Sequence, residues 1–393
     1  MHRTATAQPF VTWFRGSLLL LLLLLSTALQ AEPQPIPSPP TVAASAYVLE
    51  DFHSGRVIAE QNADERVEPA SLTKMMTAYV VSLELRNGRL QMDTPVRISE
   101  KAWRSEGSRM FVEVNTQVKV EDLLRGVIVQ SGNDACIALA EHIAGTEAAF
   151  AEMMNNEAKR LGMTGTHFMN STGLPDPEHY TTARDLATLS RALIRDFPEH
   201  YEWYSERDFT YNNITQHNRN TLLWWDKTVD GIKTGHTSTA GYCLAASAER
   251  EGMRLVSVVL GTESEKARAR ESQALLNYGF RFFETHRLYE AGKALAEHRV
   301  WMGDRSTLPV GLLEDLYVTI PRGQYDKLQA SLTIDNYVEA PLAKGDKLGQ
   351  VSVSHDGAVV ANAPLVALED LPEGGLFSRM LDWIMLQFYR LWN

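Results

Sequence analysis

The chain has 393 residues, of which 44% are hydrophobic and 22% charged, the proportions of an ordinary globular protein. This length is sufficient for roughly two or three domains and a large core. A net charge of -11 at pH 7 argues against a nucleic-acid partner, because binding to nucleic acid requires a basic face.

The N-terminus has the pattern of a secretory signal peptide. A segment containing Arg3 and Arg15 leads into an unbroken run of leucines at 18–25, and small residues follow at 26–28 and at Ala31, so that cleavage is expected after Ala31 or Ala28. A basic segment, an apolar segment and small residues before a cleavage point are typical of export. An uncleaved anchor is the alternative, but the leucine run alone is too short to span roughly 30 Å of hydrocarbon.

The next segment carries strand patterns followed by helix patterns. Residues 46–50 and 56–60 predict two strands around a turn at 53–55. Pro69 is expected to begin a buried helix with Ser71 in its first turn. Apolar periodicity predicts further helices over 120–143, with a break at 131–133, and over 150–161 and 182–196.

Strand patterns return at 241–250 and 253–261, and a long helix is predicted over 265–283. Because strands occur at both ends of this region with helices between them, we expect an α+β fold with an antiparallel sheet covered by helices. After about residue 286, short strand patterns alternate with Gly, Pro and Asp turns, which indicates a small all-β domain.

The C-terminal segment 376–393 is dense in Leu, Met, Phe, Tyr and Trp. On a helical wheel its polar residues, including Asp382, gather on one side, although Leu386 and Tyr389 interrupt that side. Charges inside the helix make a membrane-spanning position costly, whereas its amphipathic pattern favours a position in the membrane interface. A helix packed on another protein domain is the alternative.

Together these patterns divide the chain into five predicted segments. They are a signal peptide (1–31), a proline-rich leader (32–43), a catalytic domain (44–286), a small β-rich domain (287–375) and an amphipathic membrane-anchor helix (376–393).

Three short motifs point to acyl transfer by an activated serine. They are Ser71-Leu72-Thr73-Lys74, Ser131-Gly132-Asn133 and Lys233-Thr234-Gly235. A serine hydroxyl needs an adjacent base, and residues three apart on a helix share one face with roughly 5–6 Å between Cβ atoms. Burial and neighbouring cations lower the pKa of a lysine, so Lys74 can take the proton of Ser71. Each motif alone can be accidental, but the ordered set is typical of penicillin-binding proteins and class A β-lactamases.

The other two motifs supply the groups that complete such a site. Ser131 offers a hydroxyl for proton relay, and Asn133 offers an amide to hold the substrate or Lys74. Lys233 and Thr234 are suited to bind a carboxylate, and Gly235 lets a ligand approach the backbone closely.

Around these motifs the chain resembles the low-molecular-mass penicillin-binding proteins, in particular the periplasmic D-alanyl-D-alanine carboxypeptidases. The resemblance covers nearly everything after the leader, and residues 69–77, 131–136, 229–237 and 279–285 carry it. It implies a penicilloyl-serine transferase (β-lactamase-like) fold, a C-terminal β domain and a terminal membrane-binding helix. It also implies a location at the periplasmic face of the inner membrane.

The implied reaction removes the terminal D-alanine from peptidoglycan pentapeptides through an acyl-Ser71 intermediate, which β-lactam antibiotics also form. In this family the oxyanion hole consists of the backbone N–H groups of the nucleophile and of the residue after Lys-Thr-Gly, here Ser71 and His236. Arg219 and Arg268 match family arginines near the substrate. Relatives often carry a histidine where this chain has Thr172, so no role of that histidine transfers.

Several alternatives share this site. A β-lactamase of class A needs a glutamate that activates water, and the loop at 170–182 contains Glu178, though not in the Glu-x-x-x-Asn setting expected of that family. A D,D-endopeptidase or transpeptidase and a non-catalytic penicillin-binding sensor also remain open. The intact motif residues argue against an inactive site. No metal-binding motif occurs, and we expect neither a metal nor another cofactor.

Overall fold

The structure is a computed structural model that describes residues 36–392. The predicted signal peptide therefore lies outside the described residues. The helices of the described part are, in chain order, α1 Lys74–Arg86, α2 Glu100–Trp103, α3 Val120–Val129, α4 Asn133–Ala144, α5 Glu147–Arg160, α6 Ala183–Asp196, α7 Pro198–Tyr201, α8 Leu222–Trp225, α9 Glu265–Phe282 and α10 Leu376–Trp392.

The strands are β1 Ala46–Asp51, β2 Val57–Gln61, β3 Pro95–Arg97, β4 Gln117–Lys119, β5 Asp208–Tyr211, β6 Ile214–His217, β7 Val229–Thr237, β8 Gly241–Arg250, β9 Met253–Thr262, β10 Phe283–Tyr289, β11 Ala294–Arg299, β12 Thr307–Gly311, β13 Leu316–Pro321, β14 Leu328–Ile334, β15 Lys347–His355 and β16 Ala358–Ala367.

The main sheet has five antiparallel strands in the order β2-β1-β9-β8-β7. This order confirms that strands from both ends of the region share one sheet. Successive side chains of a strand point to opposite faces, and both faces of β8 are covered. Ala245 lies in the core beneath the helical layer of α1 and α3–α6, whereas Leu244 and Ala246 lie in a second core with α9.

The predicted nucleophile helix differs from the expectation at its beginning. Ala70–Thr73 form a 3-10 turn, and the α-helix α1 begins only at Lys74. The backbone explains the difference, because Ala70 has a φ of 48°, in the left-handed region that few non-glycine residues adopt. Helix α1 is buried on all sides, with Met75, Met76 and Tyr79 inaccessible to solvent. We call Ala70–Thr73 with Lys74 the nucleophile turn, after the role that the sequence predicts for Ser71.

The C-terminal part is all-β apart from the last helix, as predicted. It contains a five-stranded sheet in the order β11-β12-β16-β15-β14 and a two-stranded sheet of β10 and β13, around a core of its own. Polar contacts join it to the main sheet. The buried carboxylate of Asp51 accepts hydrogen bonds from Ser54 Oγ and Thr285 Oγ1, at 2.8 Å and 2.7 Å.

Candidate active site

The nucleophile turn brings the predicted serine and lysine together. Lys74 Nζ lies 2.9 Å from Ser71 Oγ and donates a second hydrogen bond, of 2.5 Å, to the Thr172 carbonyl oxygen. Lys74 is 1% exposed, because it begins a helix that is surrounded by core. This burial, assisted by the charge of Arg219, lowers the pKa of Lys74 to about 8. A substantial fraction of the amine is therefore neutral near pH 8.

The second motif places a strained serine beside this pair. Ser131 has a φ of 60°, and its buried Oγ has no hydrogen-bond partner within the described part of the chain. Strained backbone and unpaired polar atoms concentrate at functional sites because the surrounding structure holds them in place. Asn133 begins α4, and its Nδ2 donates to the Glu106 carbonyl oxygen at 2.5 Å.

Asp134, to which the sequence assigned no role, shapes one wall of the site. Its buried carboxylate accepts hydrogen bonds from the backbone N–H groups of Met110, Phe111 and Val112, at 2.8–3.2 Å. These bonds hold the preceding segment, of which Gly107 and Ser108 line the cleft. An aspartate in the first turn of a helix is common, so the sequence alone gave no sign of this long-range contact.

The third motif lies on β7, next to the nucleophile turn. A Cβ atom at Gly235 would lie 3.3 Å from both the Ala70 methyl and the Pro69 carbonyl oxygen. The glycine therefore permits the strand to approach the turn, in addition to any role toward a ligand. Lys233 is 3% exposed and its Nζ donates to the Thr234 carbonyl oxygen at 3.1 Å. Burial, reinforced by the nearby Lys74, holds the pKa of Lys233 well below its usual range.

The two predicted arginines differ in their surroundings. Arg219 is exposed between two buried asparagines, of which Asn220 donates to the Gly231 carbonyl oxygen at 2.9 Å and fixes the backbone. Arg268 is buried, and its guanidinium donates to the carbonyl oxygens of Gly235 and Arg219, at 3.2 Å and 3.3 Å. Arg219 thus presents an exposed cation to the cleft, whereas Arg268 supports the backbone around it.

These elements enclose a cleft of about 410 Å³. Most of the sequence-predicted residues line it, whereas Lys74, Asn133 and Lys233 lie behind its surface. Tyr242 and Glu265, which sequence reasoning missed, also line it, and the ring of Tyr242 stacks on that of His236 at 4.0 Å. The predicted residues that line the cleft are Ser71, Ser131, Arg219, Thr234, Gly235, His236 and Arg268.

The position of Glu178 does not favour the β-lactamase alternative. Its side chain is exposed and is not among the residues that line the cleft. A general base must come within hydrogen-bond reach, directly or through one water, of the proton it abstracts. The cleft instead offers a serine next to a partly neutral lysine, a second serine and an exposed guanidinium, a set suited to acyl transfer on a carboxylate-bearing substrate.

Comparison with known proteins identifies the family. Residues 33–264 match the family described as D-alanyl-D-alanine carboxypeptidase, and residues 283–373 match the penicillin-binding protein 5 C-terminal domain. The chain is 47% identical over 356 residues to the D-alanyl-D-alanine carboxypeptidase DacA of Haemophilus influenzae, covering 89% of this chain and 90% of the relative. It is 44% identical to DacA of Escherichia coli, with 90% of each protein covered.

Solved structures agree with the sequence relatives. Penicillin binding protein 5 from Haemophilus influenzae superposes with a TM-score of 0.82 at 47% identity, covering 86% of this chain and all of the other. A serine-to-alanine mutant of the Streptomyces K15 DD-transpeptidase superposes with a TM-score of 0.58 at 29% identity, covering 62% of this chain and 99% of the other. With the family match over most of its length, this chain belongs to the serine-type D-alanyl-D-alanine carboxypeptidase family of penicillin-binding proteins.

Proposed function

We propose that this chain removes the terminal D-alanine from peptidoglycan pentapeptides, with Ser71 as the nucleophile and Lys74 as its general base. The observation that carries this proposal is the 2.9 Å contact between Lys74 Nζ and Ser71 Oγ, made by a lysine whose burial lowers its pKa to about 8. The naming of relatives at 44–47% identity as D-alanyl-D-alanine carboxypeptidases supports the substrate.

In the proposed reaction, Ser71 Oγ attacks the carbonyl carbon of the penultimate D-alanine while Lys74 accepts the hydroxyl proton. The backbone N–H groups of Ser71 and His236 stabilise the negative charge that develops on the carbonyl oxygen. Ser131 relays this proton from Lys74 to the leaving amine, the amide bond breaks, and D-alanine departs. Water then hydrolyses the acyl-Ser71 ester, and Asn133 helps to hold the peptide throughout.

Recognition of the terminal carboxylate is assigned to the cationic end of the cleft. Arg219, Thr234 and Arg268 line the cleft, and the buried Lys233 lies behind them. Charge-assisted hydrogen bonds to a carboxylate are stronger than neutral ones, which favours substrates with a free C-terminus. We propose that β-lactams, which also carry a carboxylate, acylate Ser71. A structure of Listeria monocytogenes penicillin-binding protein D2 with bound cefotaxime, 33% identical to this chain, supports this.

The function is tested with a peptide that ends in Lys-D-Ala-D-Ala and with the same peptide as its C-terminal amide. We expect release of D-alanine from the acid, and turnover of the amide lower by about tenfold or more, because the amide forfeits a charged hydrogen bond. The measurement is kcat/KM for both peptides. Arg219→Ala should lower turnover of the acid and leave that of the amide nearly unchanged.

Two outcomes would contradict this assignment. Failure of the full-length protein to release D-alanine would refute the carboxypeptidase activity. An equal loss of kcat/KM for the acid and for the amide in Arg219→Ala would refute the role of Arg219 in binding the carboxylate. Glu106→Ala, a change near the cleft that does not remove a cation, serves as the matched control.

We also propose that the protein is exported and attaches to the periplasmic face of the inner membrane through α10. None of the helices within residues 36–392 is long and apolar enough to cross a membrane. Helix α10 is amphipathic in the structure, and Asp382 on its polar side accepts a hydrogen bond of 2.8 Å from the Met302 N–H. Leu386, which interrupts the polar side in the sequence, is 1% exposed on the same face as Asp382.

The opposite face of α10 is apolar and uncovered. Phe377 is 81% exposed, Phe388 63% and Trp383 55%, next to several exposed Leu, Met and Ile side chains. A contiguous apolar face of this kind marks an interaction surface. An amphipathic helix with aromatic residues lies in the plane of the membrane interface rather than across the bilayer. The docked polar side and the free apolar side therefore favour peripheral attachment.

Truncation after Pro372 should release an active enzyme into the soluble periplasmic fraction. A full-length double variant, Phe377→Glu with Phe388→Glu, should also detach, because both side chains are exposed and the substitutions leave the docked face intact. For both proteins, sedimentation with membranes measures attachment and penicillin labelling of each fraction measures whether the enzyme is active. Gln387→Glu adds a charge to the same helix at a position that is already polar, and this variant should stay bound. Continued sedimentation of the truncated protein would show that α10 is not the anchor.

A further inference from the structure

A buried histidine lies directly behind the nucleophile turn and takes no part in the reaction described above. His179 is 3% exposed, and its Nε2 lies 3.0 Å from Thr73 Oγ1. Its other ring nitrogen, Nδ1, is buried without a hydrogen-bond partner among residues 36–392. The ring packs edge-on against Phe168, with 5.7 Å between centroids.

The hydrogen-bonding pattern fixes the state of this ring. Burial lowers the pKa of His179 to about 4, so the imidazole is neutral at physiological pH, although Asp176 and Glu68 oppose the shift. A neutral imidazole carries one N–H, and a buried N–H without an acceptor is rarer than a buried acceptor without a donor. The proton is therefore assigned to Nε2, which donates it to Thr73 Oγ1.

Residues 170–179, which we call the backing loop, contact the nucleophile turn and the start of α1 through Ser171–Gly173 and through His179. The Thr172 carbonyl oxygen accepts the hydrogen bond from Lys74, and Thr77 Oγ1 donates to the Ser171 carbonyl oxygen at 2.6 Å. Gly173 has a φ of 82°, and a Cβ atom there would collide with the Ala70 carbonyl oxygen and lie 2.9 Å from Thr73 Oγ1.

The two ends of the backing loop are held in different ways. At its beginning, Asn170 Oδ1 accepts hydrogen bonds from the backbone N–H groups of Thr172 and Gly173, at 3.1 Å and 2.8 Å. Glu147 Oε1 accepts a further bond of 2.7 Å from Ser171 Oγ. At its end, the side-chain contact to the nucleophile turn is the bond between His179 and Thr73.

We propose that His179 is a positioning residue whose hydrogen bond to Thr73 holds the backing loop against the nucleophile turn and so excludes water from the Lys74 amine. The proposal rests on the proposed role of Lys74 as general base. His179 itself does not touch the reacting atoms.

If the backing loop opens, the pKa of Lys74 should change, because burial is what lowers it. Desolvation is the largest cause of the lowered pKa of Lys74, so water that reaches the ammonium raises this pKa toward 10.5. The charged groups that face Lys74, namely Asp134, Arg219 and Lys233, and the Cys136 thiol stay unchanged when His179 is replaced. Below the new pKa, the neutral fraction of the amine falls about tenfold for each unit of the shift.

The test compares the pH profile of Ser71 acylation in full-length His179→Ala and His179→Gln with the wild type. A fluorescent penicillin reports the second-order rate between about pH 6 and about pH 11, a range that spans both pKa values of interest. In His179→Ala we expect the midpoint of the pH profile to rise by about one pH unit or more, so that the acylation rate at pH 7 is about tenfold lower than in the wild type. At alkaline pH the two rates should converge. The amide of His179→Gln can donate to Thr73, so its midpoint should match the wild type.

Two further variants separate positioning from general destabilisation. Gly173→Ala keeps the histidine but forces the backing loop off Ala70, so its midpoint should also rise. His142→Ala, at an exposed histidine near the end of α4, should leave the profile unchanged. If His179→Ala does not fold, the test rests on the pH profile of acylation in Gly173→Ala. An unshifted midpoint of that profile overturns the proposal.

Other outcomes distinguish this proposal from the proposed function. A uniform drop at every pH in His179→Ala, or no change, refutes the positioning role while wild-type acylation still supports Ser71 and Lys74. A wild type that is not acylated on Ser71 refutes the proposed function itself. A wild-type profile without an ionisation near pH 8 overturns the base role of Lys74, and the inference about His179 fails with it.

Discussion

Ser71→Ala should abolish both penicillin labelling and D-alanine release. In the proposed reaction the hydroxyl oxygen is the atom that becomes acylated, and a methyl group cannot replace it with either substrate. The fold should survive, because Ser71 is only partly buried and the change removes one atom from the edge of the cleft. Intact-mass spectrometry after incubation with penicillin measures the adduct, and peptide mapping locates it.

A neighbouring serine provides the control for this prediction. Ser108 also lines the cleft, but Lys74 Nζ is bonded to Ser71 Oγ. Ser108→Ala should therefore keep labelling within a few-fold of the wild type. A penicilloyl group found on a peptide that lacks Ser71 would overturn the assignment of the nucleophile, whatever the effect of Ser71→Ala on turnover.

The sequence predicted the main sheet because its strands carry strong local patterns. Residues 241–250 and 253–261 alternate and are rich in Val, Leu and Ala around a Glu251-Gly252 turn, and both residues of that turn have a positive φ, as a tight hairpin turn requires. The division into an α+β part and an all-β part followed from similar patterns. Residue composition and flanking turns together identify such strands even where both faces are buried.

The parts of the site that the sequence did not predict depend on contacts between distant segments. Thr172 meets Lys74 through a backbone carbonyl, which leaves no trace in residue identity. Asp134 holds a loop more than twenty residues before it, again through backbone N–H groups. The position of Lys233 behind the cleft surface follows from the packing of β7 against the nucleophile turn, which the motif alone does not show.

The C-terminal helix α10 is another place where the sequence pattern was incomplete. On a helical wheel, the apolar Leu386 lies on the side that is otherwise mostly polar. The structure explains this, because the polar face docks through Asp382 and Leu386 is buried beside it. Packing on protein, one of the two alternatives weighed from the sequence, therefore accounts for this face, and the membrane contact is proposed for the opposite face.

Replacement of Lys74 should have the second large effect, and its pH dependence identifies the role of the residue. Lys74→Ala should slow acylation by about 10²–10⁴-fold, the contribution of a positioned general base. In the wild type, only the neutral amine can accept the Ser71 proton. Because burial places the pKa of Lys74 at about 8, the acylation rate should rise about tenfold per pH unit below that value and level off above it.

Lys74→Arg separates the base from a mere positive charge. Arginine stays protonated throughout the accessible pH range, so it preserves the cation but cannot accept a proton. If Lys74 acts as the base, the arginine variant loses acylation as severely as Lys74→Ala, and neither variant keeps the rise toward pH 8. If Lys74 contributes only its charge, Lys74→Arg retains most of the wild-type rate and the base assignment is wrong. Lys266→Ala, at an exposed lysine of α9, should leave both the rate and the profile unchanged.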